Sequence, residues 1–166
     1  MGAGKSTVGK ALAKFLGWDF CDIDHMVEKS TGVSIPTIFE IEGEDGFRKR
    51  ETTALENFEG ATHCVLATGG GIVLAPKNRP LLKKTGKVVF LKASAHDVYQ
   101  RTRLDRNRPL LQDPDPHKKI RELLAFRTPL YKGIADLTIE TGRQPVHTIV
   151  QKICTALHLQ PPTLHP

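Results

Sequence analysis

The six residues Gly2-Ala3-Gly4-Lys5-Ser6-Thr7 constrain this chain more than any other segment. They are the second half of the pattern G-x-x-x-x-G-K-[ST]. In that pattern backbone N–H groups surround phosphates, the lysine reaches the terminal ones, and the hydroxyl binds magnesium. Val8, Ala11, Leu12, Phe15 and Leu16 follow at helical spacing, and Gly17 is placed as a C-cap. The hexapeptide taken alone also fits the loose N-myristoylation pattern of Gly2 with Ser6, but a lipid on Gly2 would block the loop. The pattern's first glycine would fall before Met1. So would the strand that enters such a loop, which in this kind of fold lies in the middle of the sheet. The expectation is therefore a domain over residues 1–158 that is truncated at its N-terminus, with a β-branched apolar strand and a glycine turn upstream.

Strand and helix signals alternate along the rest of the chain. Strands are expected over residues 18–22, 63–68, 87–91 and 137–140, and helices over 25–29, from near Pro36, over 44–58, from Pro76, and over 95–104, 120–131 and 146–158. This order implies a single α/β domain, a parallel sheet with helices on both faces; together with the phosphate-loop motif it resembles the P-loop NTPase fold of nucleoside-monophosphate-kinase-like type. Its ligands would bind at the carboxyl ends of the strands. Residues 105–116 show no periodicity and read as a lid, and the proline-rich residues 159–166 read as a disordered tail.

Composition removes several alternatives. In 166 residues no apolar run approaches the roughly 20 needed to cross a bilayer, so no membrane partner is expected. The net charge of +6 favours anionic ligands. Its basic residues concentrate between Arg101 and Arg108 and between Lys118 and Arg127, without interleaved stacking aromatics, which suits a nucleotide and not a nucleic acid. Three widely spaced cysteines, Cys21, Cys64 and Cys154, suggest neither a disulfide framework nor a metal site, and read as buried small hydrophobes in a reducing, cytoplasmic setting.

Four further features carry chemistry. Asp22-Ile23-Asp24 stands where a strand gives way to a helix, and period-two spacing sends both carboxylates to one side if the strand persists. An N-cap role would explain one aspartate and leave the other. Gly69-Gly70-Gly71 follows an apolar strand and is either a flexible turn or a place where backbone approaches a ligand. Arg48 and Arg127 are individually weak signals, since solvated helix faces carry arginines. Arg101 and Arg108 flank the lid, where a charged fork can close over a transferring phosphate.

Together these segments resemble the shikimate kinase family from Met1 to about Leu157. The resemblance rests on GAGKST, the D-x-D at Asp22 and Asp24, G-E-x-x-F-R-x-x-E from Gly43 to Glu51, GGG at Gly69, R-P-L-L at Arg108, and R-x-P-L-Y at Arg127. It implies transfer of the ATP γ-phosphate to the 3-hydroxyl of shikimate by a monomer. In that reading Gly2 to Thr7 hold ATP, with Lys5 on the β- and γ-phosphates, and Ser6 and Asp22 hold Mg2+, Asp22 through water. Asp24 would be the base, and Arg48 and Arg127 would grip the substrate carboxylate beside Gly69, Gly70 and Gly71. Arg108 would neutralise the transferring group, while Arg101 and Arg143 would lie near adenine. A gluconate or adenylate kinase, or a non-catalytic relative that keeps only ligand contacts, is the rival reading.

Overall fold

The computed structural model describes residues 2–103 and 114–162. Helix α1 (Lys5–Leu16) begins after Gly4 and stops at Gly17, both glycines in the left-handed conformation, and the Gly17 N–H closes the helix on the Ala13 and Lys14 carbonyls. Its buried stripe of Val8, Leu12, Ala13 and Leu16 lies against the sheet. At Gly9 the contact is so close that a Cβ would stand 2.7 Å from the Phe20 ring.

Four short strands follow the expected positions. Strand β1 (Asp19–Asp22) pairs in parallel with β2 (Cys64–Ala67), Asp19 opposite Cys64 and Asp22 opposite Ala67. Strand β3 (Val89–Lys92) pairs in parallel with β4 (Leu137–Glu140), Val89 opposite Leu137. Among the described residues the two pairs are not hydrogen-bonded to each other, so each of the four strands is paired along one edge only.

Successive residues of β2 point into different cores, as a pleated strand requires. Val65 joins Val89, Leu91 and Ile139 beneath α1 and α7 (Val146–Leu157), where Val8, Leu12, Leu16, Ile149 and Ile153 are buried. Leu66 packs on the other side with Ile23, Val27, Ile38, Phe47, Leu55 and Ile134, supplied by α2 (Ile23–Thr31), α3 (Ile35–Glu56) and α6 (Pro116–Ile134). Helices therefore cover both faces of parallel strands, as the alternation of elements predicts. Leu55 and Ile23 are both fully buried, each contributing about 1.5–3 kcal/mol by leaving water.

The two helices anticipated from Pro36 and over 44–58 both form; they follow one another in α3 and meet at Gly43, whose non-helical φ of 69° and ψ of −175° only glycine adopts without strain. Other expectations change. Helix α6 starts earlier than expected, because Asp115 caps it by accepting from the Lys118 N–H at 3.0 Å and Pro116 occupies its first turn. It also runs through Pro129. The helix expected from Pro76 is α4 (Asn78–Thr85). Last, of the three free cysteines only Cys154 is buried. Cys21 and Cys64 are half-buried on neighbouring strands, and partial burial and the nearby Cys21 push the Cys64 thiol up to about 11.

Candidate active site

The phosphate loop sets one wall. Gly2 (φ +58°) and Gly4 (φ +81°) turn the backbone into α1, whose first turn has no acidic residue and no side-chain cap. Its N–H groups and the positive end of its dipole are thus presented to an anion. The Ser6 hydroxyl donates to Asp22 Oδ2 at 2.9 Å, and the second Asp22 oxygen accepts the Asp24 N–H at 3.0 Å. Asp22 therefore does what both readings asked: it caps α2 and it faces Ser6. A hydroxyl and a carboxylate side by side at the phosphate end of the loop are hard oxygen donors of the type that fits Mg2+, with water and phosphate completing its shell.

The opposite wall is built by the kink in α3. Beyond Gly43, residues 44, 48 and 51 share one helix stripe, since they are spaced four and three apart. Arg48 donates from Nε and Nη2 to Glu44 Oε1, at 3.3 and 3.0 Å, and from Nη1 to Glu51 Oε2. Glu51 is fully buried, and among the described residues its Oε1 has no hydrogen-bond partner. Burial opposes the Arg48 charge, yet Glu51 and Glu44 outweigh it and hold the guanidinium above its usual range. Glu51 responds the other way: burial raises its carboxyl above the usual range, Arg48 and Arg127 pull it back, and Asp24 pushes it up again. The pair secures the arginine's charge without fully offsetting the desolvation of the carboxylate.

The glycine triplet lies between these walls, and its lack of side chains has a specific use. A Cβ on Gly69 would stand 2.6 Å from Glu51 Oε1 and 3.1 Å from Asp24 Oδ1, and one on Gly71 would stand 2.3 Å from the Arg48 guanidinium carbon. The protein's own charged groups fill the space that side chains would take. Gly70 offers its carbonyl to the Tyr131 hydroxyl at 2.5 Å, and the Tyr131 ring packs on Phe90 of β3, 4.9 Å between centroids. One turn earlier on α6, Arg127 is buried, and its Nε has no hydrogen-bond partner among the described residues. Burial raises the Tyr131 phenol and Arg127 lowers it, so the two groups sit within each other's field. An apolar cavity of about 430 Å³ adjoins this wall, between Ala3, Phe90, Val98 and Tyr131. None of Asp24, Arg48 or Arg127 lines it.

Asp24, Glu51 and Arg48 thus press on the bare glycines, with Arg127 in the field of Glu51, and Asp22, two residues before Asp24, is bonded to Ser6 of the phosphate loop. Residues 1–158 match the family profile described as shikimate kinase. The chain belongs to the shikimate kinase family. The shikimate kinase of Bordetella avium is 52% identical over 157 residues, covering 95% of this chain and 75% of that protein. That of Cupriavidus pinatubonensis is 51% identical over 159 residues, covering 96% and 83%. Among solved structures, shikimate kinase from Acinetobacter baumannii in complex with shikimate superposes with a TM-score of 0.93 at 48% identity, over 95% of this chain and 88% of that one. The Aquifex aeolicus shikimate kinase gives 0.82 at 34% identity, over 95% and 92%.

Most of the site residues expected of a shikimate kinase lie at this one edge of the fold. Gly2 to Thr7, Asp22, Asp24, Arg48, Gly69 to Gly71 and Arg127 surround it. Arg101 and Arg143 lie on the other side of the phosphate loop, Arg101 bonded to the Gly2 and Gly142 carbonyls and Arg143 exposed in the turn after β4. Arg108 and most of the expected lid fall outside the described residues. Sequence reading gave no role to Glu51 or Tyr131. A signal for each was present: Glu51 stands three residues after Arg48 and Tyr131 four after Arg127, the spacings that put two side chains on one helical face.

Proposed function

We infer that this chain transfers the γ-phosphoryl group of ATP to the 3-hydroxyl of shikimate, giving shikimate 3-phosphate and ADP, a step of aromatic amino-acid synthesis. The observation that carries the reading is the joint placement of Asp24, Arg48 and Glu51 against Gly69 and Gly71, beside the phosphate loop. A ring bearing a carboxylate and several hydroxyls needs two arginines for the carboxylate and a carboxylate for the reacting hydroxyl. This site has both.

In the reaction the 3-hydroxyl oxygen attacks the γ-phosphorus while the bond to the β–γ bridging oxygen breaks, and the hydroxyl proton passes to the Asp24 carboxylate. Arg48 and Arg127 hold the substrate carboxylate by charge-assisted forks, which fixes the ring so that one hydroxyl faces the phosphate. Lys5 and the N–H groups of Gly2 to Thr7 hold the β- and γ-phosphates. Arg108 neutralises charge on the group in transfer, and Arg101 and Arg143 lie on the adenine side. Ser6 and Asp22 are the residues that would hold Mg2+, Asp22 through water, and the ion would supply neutralisation of phosphate charge. The enzyme acts as a cytoplasmic monomer on small molecules, a reading supported by its family; among the described residues no helix is long and apolar enough to cross a membrane.

The test is a coupled ADP-release assay with shikimate, quinate and gluconate as acceptors. Release with shikimate well above the other two is expected. Equal release with gluconate would turn the reading toward another small-metabolite kinase, and ATP binding without turnover on any acceptor would reduce it to a binding module.

A further inference from the structure

Helix α5 (Ala95–Thr102) meets the phosphate loop at two points of different physical origin. The first is packing. A Cβ on Gly2 would stand 3.0 Å from Thr102 Cγ2 and 3.3 Å from the Val98 Cα, so the loop backbone rests directly on the helix. The second is polar. Arg101 donates from Nη1 to the Gly2 carbonyl at 3.1 Å and from Nη2 to the Gly142 carbonyl at 2.9 Å. Gly142 opens the turn between β4 and α7, and both glycines have positive φ, 58° and 38°. One guanidinium therefore spans two backbone segments 140 positions apart in the chain. Lys92 ties the same region from below, its carbonyl accepting the Thr141 N–H at 2.8 Å and the Thr141 hydroxyl at 3.2 Å.

This geometry is more than a side chain waiting for a base. A planar, always charged fork can hold two carbonyls at fixed separation, which a single ammonium cannot. The Gly2 carbonyl belongs to the loop whose N–H groups must all face the phosphates. Left without a donor, it is free to rotate inward, where its negative end would oppose the triphosphate. We propose that Arg101 is a positioning residue that fixes the phosphate loop against the β4–α7 turn, so that it governs triphosphate affinity through the Gly2 carbonyl and not only through contact with adenine. The proposal rests on the kinase reading above and assigns Arg101 an effect on the end of ATP that its side chain does not touch.

The discriminating probe is Mg-tripolyphosphate, which has the phosphates and no base. In calorimetric titrations of the full chain, Arg101→Gln should weaken tripolyphosphate about tenfold or more, the loss of about one hydrogen bond to a charged group. ATP should weaken at least as much, while shikimate affinity and the melting temperature stay close to wild type. Arg101→Lys, which keeps the charge but not the planar fork that fits two carbonyls, should recover only part of the loss, and it serves as the readout if the glutamine variant does not fold. Tripolyphosphate affinity within about twofold of wild type in these variants would overturn the proposal, whether or not ATP binding falls. Failure of the wild-type chain to release ADP with shikimate would instead count against the kinase reading, and the tripolyphosphate comparison would still decide the role of Arg101.

Discussion

Replacing Glu51 by alanine should damage this protein in two separable ways. Glu51 is completely inaccessible, and the Arg48 side chain it pairs with is 15% exposed. Removing one partner of a buried pair costs about 3–5 kcal/mol, because the remaining charge is left in a poor solvent. Arg48 keeps Glu44, but that carboxylate is 41% exposed and screened by water, so it compensates little. The lower end, about 3 kcal/mol, is the appropriate magnitude, and for a chain of this length it corresponds to a fall in Tm of about 6–12 °C. The second effect is on substrate. Without Glu51 the guanidinium loses the contact that holds it over Gly71, so KM for shikimate should rise while KM for ATP changes little. Thermal melts followed by circular dichroism, together with steady-state kinetics in both substrates, read the two effects. A variant that melts within about 1 °C of wild type and keeps its KM for shikimate would refute the view that Glu51 positions Arg48.

Other consequences can be checked on the same protein. Asp24→Asn preserves shape but removes the base, and should lower kcat by about 10²–10⁴ while both substrates still bind; a variant with more than half of wild-type kcat would show that Asp24 is not the base. Arg127→Ala removes a charge-assisted partner of the carboxylate and should raise KM for shikimate roughly tenfold or more, leaving ATP nearly unaffected, and equal changes for both substrates would argue against the clamp. Gly71→Ala places a methyl group within the Arg48 guanidinium, so KM for shikimate should rise even though the backbone there is ordinary; unchanged kinetics would mean Arg48 is free to move aside. The Glu51 carboxyl titrates above its ordinary range when folded, chiefly because burial disfavours its anion. Its stabilising contribution is present below the unfolded pKa and is lost as pH rises through the folded one. Glu51→Gln, which cannot titrate, should therefore gain stability relative to wild type as pH rises above the ordinary glutamate range, as urea unfolding at several pH values would show, and a pH-independent difference would contradict the assignment.

Local signals carried much of the fold. The strand at Leu137–Glu140 and the helix from Gly4 to Gly17 lie where periodicity and capping glycines put them, because alternation and αL caps are properties of a few adjacent residues. The break at Gly43 was legible as well, since Pro36 opens one helix and Glu44 another, and the non-helical Gly43 stands between them. Helix α6 was misjudged at both ends: Pro116 is an opening residue once Asp115 caps the turn, and Pro129 is tolerated within a helix held on both sides of it by Ile120 and Ile134, which are buried.

The chemistry divides along the same line. The residues Gly2-Ala3-Gly4-Lys5-Ser6-Thr7 pointed by themselves to phosphate binding, because the loop pattern is a short-range arrangement with one main chemical use, whereas Asp22 and Asp24 and the triplet at Gly69 each kept a structural alternative, an N-cap and a flexible turn. Which charges occupy the space left by the glycines was decided only in three dimensions. Glu51 on α3, Arg127 and Tyr131 on α6, and Gly70 after β2 are far apart in sequence. Their meeting depends on a kinked helix and a parallel strand end being packed together. Desolvation, which makes Glu51 and Arg48 matter, belongs to the assembled site and to no residue alone.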